Sequence, residues 1–185
     1  MINGGVVVGI LYGLIGLVVL IIFVCWAYIV NKGNAQFELK VAERTPFELV
    51  EITEDTITLH CQVAMVNKGQ QLGTIMDCYT RHLLPYEQFD GVQVFSKVEL
   101  ETARRADDYF EALIIERNRR VNLVVTVKLT ARKNSDIKTT LTQMVDMPID
   151  IVYQQVTRAD WHIEKARIEM KASEVASAAN VTLAD

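Results

Sequence analysis

Cys61, Cys78 and His82 come nearest to a chemical site by type and spacing. Cys78 and His82 are four positions apart and so share one face of a strand, and a turn centred on Gly69-Gln70 would set Cys61 nearly opposite Cys78 on the neighbouring strand. Three readings are open. The two cysteines can be small apolar core residues, they can form a cross-strand disulfide, or they can be part of a metal centre. A disulfide needs Cα atoms roughly 4.4–6.8 Å apart in a favourable register. A structural zinc site needs a complete tetrahedral ligand set; His60 points to the opposite face and there is no CxxC pair, so no metal is expected.

Paired carboxylates occur at Glu54-Asp55 and Asp107-Asp108, the second followed by Glu111. Convergent carboxylates can move protons or hold a divalent ion. Adjacent residues diverge to opposite faces of a strand and are solvated in a turn, so these pairs read as surface. No GxGxxG, GxxxxGK[ST] or HExxH string is present, and no Ser or Cys nucleophile has a base close in sequence. Neither an enzyme nor a cofactor is expected.

Arg117, Arg119 and Arg120, with Arg104 and Arg105 nearby, form the most basic patch. They could contact lipid headgroups, worth about 1 kcal/mol per residue at an anionic surface, bind an acidic partner, or be a solvated turn. The chain is formally −4 at pH 7 and no aromatic stacking pattern accompanies the arginines, so no nucleic-acid partner is expected.

The elements that must position these residues divide sharply. All 19 basic and 23 acidic residues lie after Val30. Val6 to Val30 is almost purely apolar, and about 25 residues at about 1.5 Å rise span a hydrocarbon core of about 30 Å. A cleaved secretory signal would carry a basic start, a shorter apolar stretch and a small-x-small exit. Met1 to Gly5 has no basic side chain and the run ends in Cys25-Trp26-Ala27-Tyr28, so we expect an uncleaved anchor with Trp26 and Tyr28 at the interface. Gly5, Gly9, Gly13 and Gly16 fall on one helical stripe, the spacing that lets helices pack closely in lipid. The expected partners are the bilayer and either a second copy of the chain or other membrane subunits. Lys32, Lys40 and Arg44 after the helix favour a cytoplasmic domain by the positive-inside count, whereas analogy with anchored β domains favours the outside.

The remaining stretch of about 155 residues suits one domain. Thr56 to Met65 alternates with Ile57, Leu59, Cys61, Val63 and Met65 on one face, and Val121 to Thr130 is dense in β-branched residues. Further strands are expected at 47–52, 74–84, 92–100 and 137–152, with Pro148 as a bulge or break. Tyr109 to Glu116 reads as a strand forming a hairpin with Val121 onward; the alternative is a helix around 97–118, begun by Ser96-x-x-Glu99. Asp160 is a plausible N-cap, and Glu164 to Ala172 consists largely of helix formers.

The expected organisation is a short tail (1–5), a transmembrane helix (6–30), a linker (31–36), a β-sandwich domain (37–158), and a C-terminal helix with a loose tail (159–185). The expected class is mainly β: one N-terminal transmembrane helix, then an antiparallel sandwich, Ig-like or related, with a C-terminal helix. The alternative is an α+β domain with the extra helix at 97–118. The corresponding function is a non-enzymatic single-pass membrane protein, a structural or assembly subunit of a membrane or envelope complex acting through its glycine-striped helix and β-sandwich. A membrane-anchored binding module for a peptide, glycan or lipid is the other reading.

Overall fold

The structure, a computed structural model, describes residues 4–105, 107–133, 135–158 and 160–184, so most of the expected tail at 1–5 lies outside the described residues. Helix α1 (Gly4–Asn31) is apolar along its length, and within it Val8–Asn31 is long and apolar enough to cross a membrane. Its described side chains stand mostly exposed, and the described contacts of α1 with the β domain lie at its last turn. An apolar helix left this bare in water would be unstable, and lipid is the solvent that suits it.

The rest of the chain is mainly β. Strands β1 (Phe37–Leu39), β2 (Glu48–Ile52), β3 (Thr56–Asn67), β5 (Val92–Leu100) and β7 (Arg120–Ala131) form one antiparallel sheet. β3 is its axis: β7 covers one edge, while β1 and β2 share the other, joined by a 3-10 turn at Val41–Glu43. The second sheet has the order β6 (Leu113–Ile115), β4 (Gly73–His82), β8 (Met147–Thr157), β9 (Asp160–Met170). The expected alternation holds on β3 and β7, where Ile57, Leu59, Cys61, Val63 and Met65 face Ile149, Ile151, Ile168 and Met170 of the other sheet across one core. A five-residue helix α2 (Ile137–Leu141) and the C-terminal α3 (Ala172–Ala179) complete the fold.

Several expectations are corrected. No helix occupies the described part of 97–118: β5 runs on to Leu100, held against β7 as far as Leu123. Leu113–Ile115 is a strand, but it pairs with β4 and not with β7, so the turn at Arg117 crosses between sheets instead of closing a hairpin. Ile137 opens a helix, because the Asp136 side chain accepts from the Thr139 amide as an N-cap. Pro148 lies inside β8 at the end of its ladder with β4: its carbonyl accepts from the Leu83 N–H (2.8 Å), but with no N–H it cannot return the bond, and the paired register stops at Ile149. The largest correction is at 160–170, where the expected helix is strand β9, paired with β8 over its whole length. The C-terminal helix exists, but it starts at Ala172, with Glu174 reaching back to the Lys171 amide.

Candidate functional site

The described contacts between α1 and the sandwich gather at one end of the β domain. Linker residues do not hang free. Gln70 N–H donates to the Asn34 carbonyl (3.1 Å) and Lys68 N–H to the Gln36 carbonyl (2.8 Å), which lays the linker along the β3–β4 loop just ahead of β1. A side chain at Gly69 would collide with the Asn34–Gln36 backbone, and one at Gly73 with Ala35 and Phe37. Gly33 turns the chain at φ +63°. From the far side, the Arg158 guanidinium donates to the Ile29 carbonyl at 3.2 Å, at the last turn of α1, while Gln70 and Arg117 flank Tyr28, Asn31 and Lys32.

Asn67 ties this end together. It is fully buried, and its Oδ1 accepts from the amides of Gly69 (2.9 Å) and Gln36 (3.2 Å). Its Nδ2 donates to the carbonyls of Gln71 (2.8 Å) and Ile115 (3.0 Å). Its backbone exchanges bonds with Asn118 and Arg119. One side chain therefore joins the linker, the β3–β4 loop and the sheet-crossing turn, with every polar group satisfied. By sequence the turn is centred on Gly69-Gln70 and Asn67 is not singled out; the Asn-x-Gly spacing of an Asx turn is the signal that could have found it.

Close by, the core changes character. The inward face of β8 reads Met147, Ile149, Ile151, Tyr153, Gln155, Thr157, and the same side of β9 reads Met170, Ile168, Ala166, Glu164, His162, of which Glu164 and His162 are exposed. Both run from apolar to polar as they approach α1. Here a cavity of about 490 Å³ opens between β8–β9 and the linker with β1. Tyr153 hydroxyl donates to Glu164 Oε2 (3.0 Å) and Gln155 Nε2 to Glu164 Oε1 (2.7 Å). Burial, first, and the neighbouring Glu164 hold the Tyr153 phenol well above the usual range, so it stays a neutral donor. At the mouth, Glu38 pairs with Lys40 (2.8 Å) and with Lys68. Its carboxyl lies below the usual range through those two hydrogen bonds.

No protein-family model matches the chain, and no curated protein matches it. Solved structures do resemble it. A Bordetella pertussis protein assigned as ApaA shares 9% identity over 74% of this chain and 94% of its own, with a TM-score of 0.42. The GAE domain of GGA2p from Saccharomyces cerevisiae shares 8% over 75% and 98%, at 0.35. A protein from Archaeoglobus fulgidus shares 9% over 74% and 96%, at 0.31.

The residues singled out by sequence fall into three places. Gly5, Gly9, Gly13 and Gly16 lie on α1, and a side chain at any of them would meet nothing within 4 Å. Cys61 and Cys78 are both buried and free, on β3 and β4, which belong to different sheets and are not paired as neighbours. Desolvation pushes the Cys61 thiol up to about 12 and raises Cys78 still further. They act as core residues; among the described residues no three of His, Cys, Asp and Glu are grouped to hold a metal. The arginines do not make one patch. Arg105 pairs with Asp107 (2.7 Å), Arg119 with Glu116 (3.4 Å) and Arg120 with Glu43 (2.9 Å). Arg104 and Arg117 form no ion pair among the described residues, and of the five it is Arg117 that stands beside the end of α1.

Proposed function

We propose that the protein is a single-pass, non-enzymatic membrane protein, a structural or assembly subunit that joins its partners through the glycine face of α1 and carries the β-sandwich at the membrane surface. The observation that carries this reading is the docked linker. Bonds from Lys68 and Gln70, the close fit at Gly69 and the Arg158–Ile29 contact couple helix and domain without a free joint. A tether that only retains a soluble domain needs no such coupling, whereas a subunit that fixes the domain's orientation within a complex does. The bare Gly5–Gly16 stripe supplies the face on which another helix could seat in lipid.

The test is gentle solubilisation of the full-length protein from its membrane, followed by the mass and composition of the particle. An intact chain, starting at Met1, in a homo-oligomer or with other subunits is the expected result, and Gly9→Leu with Gly13→Leu should dissolve that assembly while the β domain stays folded. A chain cleaved after α1, a lone monomer, or an assembly indifferent to both leucines would overturn the reading.

A further inference from the structure

We propose that the outer face of the second sheet, at its α1 end, is a membrane-docking face: Leu72, Ile114, Val156, Trp161 and Ile163 rest in the headgroup layer of the bilayer that α1 crosses. The inference rests on α1 spanning that bilayer, and it is independent of assembly through the glycine stripe.

Register brings these residues together. Thr74 pairs with Ile114 on one side and Val156 on the other, and Val156 pairs with Trp161. Their side chains stand in one row across all four strands, on the face turned away from the core. Leu72, just ahead of β4, extends the group toward α1, and Ile163 extends it along β9. Leu72, Ile114, Trp161 and Ile163 are each more than half exposed, with Val156 half-buried among them. Single apolar residues on a surface mean little, but a contiguous group on one sheet face marks an interaction site.

The same face turns polar with distance from α1. Ile163 shares its row with Asp77 and Gln154, and two rows further on stand Arg81, Asp150 and Arg167, a charged surface that water suits. The gradient therefore follows the membrane-spanning helix and not the core.

Arg158 sets the height of the face. Its guanidinium donates to the Ile29 carbonyl at 3.2 Å, one residue before the apolar run ends, so the β8–β9 turn lies within one side chain's reach of the hydrocarbon edge. Trp161 is one ladder pair beyond that turn, and Ile163 is about 7 Å further along β9. The headgroup layer is about 5–7 Å deep on each side, and a domain inclined by the tilt of α1 lays the row within it. An indole ring favours that depth, where Trp26 and Tyr28 of α1 also lie. Lys32, Arg117, Arg119 and Arg158 stand at this end against Glu116, Asp160 and Asp77. That balance is only weakly basic, so apolar burial drives the contact and the cations orient it on lipid phosphates. A protein partner would have to reach a surface already held at the bilayer by Arg158 and the docked linker, whereas lipid is there from the start.

The test uses the full-length protein in nanodiscs of phosphatidylcholine and phosphatidylglycerol, with or without bromine on the acyl chains near the headgroup. The chain has two tryptophans, so Trp26→Phe isolates the emission of Trp161 and Trp161→Phe that of Trp26. Brominated lipid should quench Trp161 and acrylamide should reach it poorly, and both results should persist with Gly9→Leu and Gly13→Leu. Ile114→Glu with Ile163→Glu, both at exposed positions, should lower the ratio of docked to undocked domain about tenfold or more, with melting unchanged. Trp26 quenched by lipid while Trp161 is open to acrylamide overturns this inference alone. So does Trp161 shielded from both quenchers, which would place a protein on the face, or lipid quenching that survives both glutamates or is lost with the two leucines. Lipid quenching of neither tryptophan overturns the membrane reading as well.

Discussion

Gly69 lies directly beneath the backbone of Asn34: a methyl group there would overlap the Asn34 carbonyl oxygen and approach the Ala35 Cα to 2.5 Å. Gly69 has no positive φ, so what its position requires is space. The obstructing atoms are backbone and cannot swing aside. Gly69→Ala should therefore undock the linker, at a cost of about 2 kcal/mol or more. Limited proteolysis reports it: cleavage between 31 and 36 should be slow in the parent protein and fast in the variant. Equal rates would mean that the linker does not depend on this contact.

Asn67 makes four side-chain hydrogen bonds from a fully buried position. Asn67→Leu removes them all and strands two carbonyls and two amides, so a loss of about 3 kcal/mol or more is expected from the unpaired groups together. Urea unfolding followed by the fluorescence of Trp161 on β9 measures it. A loss below about 1 kcal/mol would show that water replaces the side chain at little cost.

Asp150 is buried on the outer face of β8 beneath Arg167, which reaches it with two nitrogens at 2.7 and 3.2 Å, and Lys165 adds a third contact. Arg167, chiefly through hydrogen bonding, holds the Asp150 carboxyl below its ordinary value. A depressed carboxyl stabilises the fold above its unfolded pKa of about 4 and loses that contribution as pH falls through the lower, folded value. Stability should therefore fall with acid below about pH 4, and Asp150→Asn should flatten that part of the curve. An unchanged slope in the variant would assign the acid sensitivity to other groups.

Cys61 and Cys78 lie in the core on strands of opposite sheets, and burial keeps both thiols protonated at neutral pH. Iodoacetamide at pH 8 should leave them untouched in the native protein and modify both in urea, since only the thiolate reacts. Rapid native labelling would place at least one of them near the surface.

Strands β3 and β7 were legible because their inward positions are all apolar, so period 2 was visible before any partner was known. β9 was not. Its inward half near Met170 alternates, Ala166, Ile168 and Met170 against Lys165, Arg167 and Glu169, but the half near α1 reverses the code. There the face that continues Ala166, Ile168 and Met170 carries His162 and Glu164, the opposite face carries Trp161 and Ile163, and all four are exposed. Local helix propensity then dominated the reading, and pairing with β8 overrides it in the fold. The pattern fails where the open, polar cavity leaves that face of β9 uncovered. The sheet-crossing turn after β6 was hidden for a different reason: its partner is chosen by Asn67, about fifty residues earlier, and nothing local announces that.

Arg44 closes the opposite part of the sandwich edge and allows the energetic argument to be carried through. Its guanidinium meets both oxygens of Glu174 at 3.0 Å, donates to the Glu169 carbonyl at 2.6 Å, and lies over the Phe47 ring at 5.4 Å. Both partners are mostly buried, with side chains 15% and 19% exposed, so the pair escapes most of the screening that makes surface bridges worthless. Glu174 also accepts from the Lys171 amide, so the ion pair and the start of α3 are one unit. Removing one partner should be worse than removing both. Arg44→Met alone leaves Glu174 uncompensated and should cost about 3 kcal/mol, and Glu174→Gln alone somewhat less, because the amide can still accept. The double variant should fall short of the sum by about 1–2 kcal/mol, the coupling expected of contacting charges. Arg44→Lys should rescue little, since an ammonium cannot span two oxygens and a carbonyl together. Thermal and urea unfolding of the four proteins complete the cycle, and additive losses would show that α3 docks through its apolar face, Val175, Ala176 and Ala179, without help from the pair.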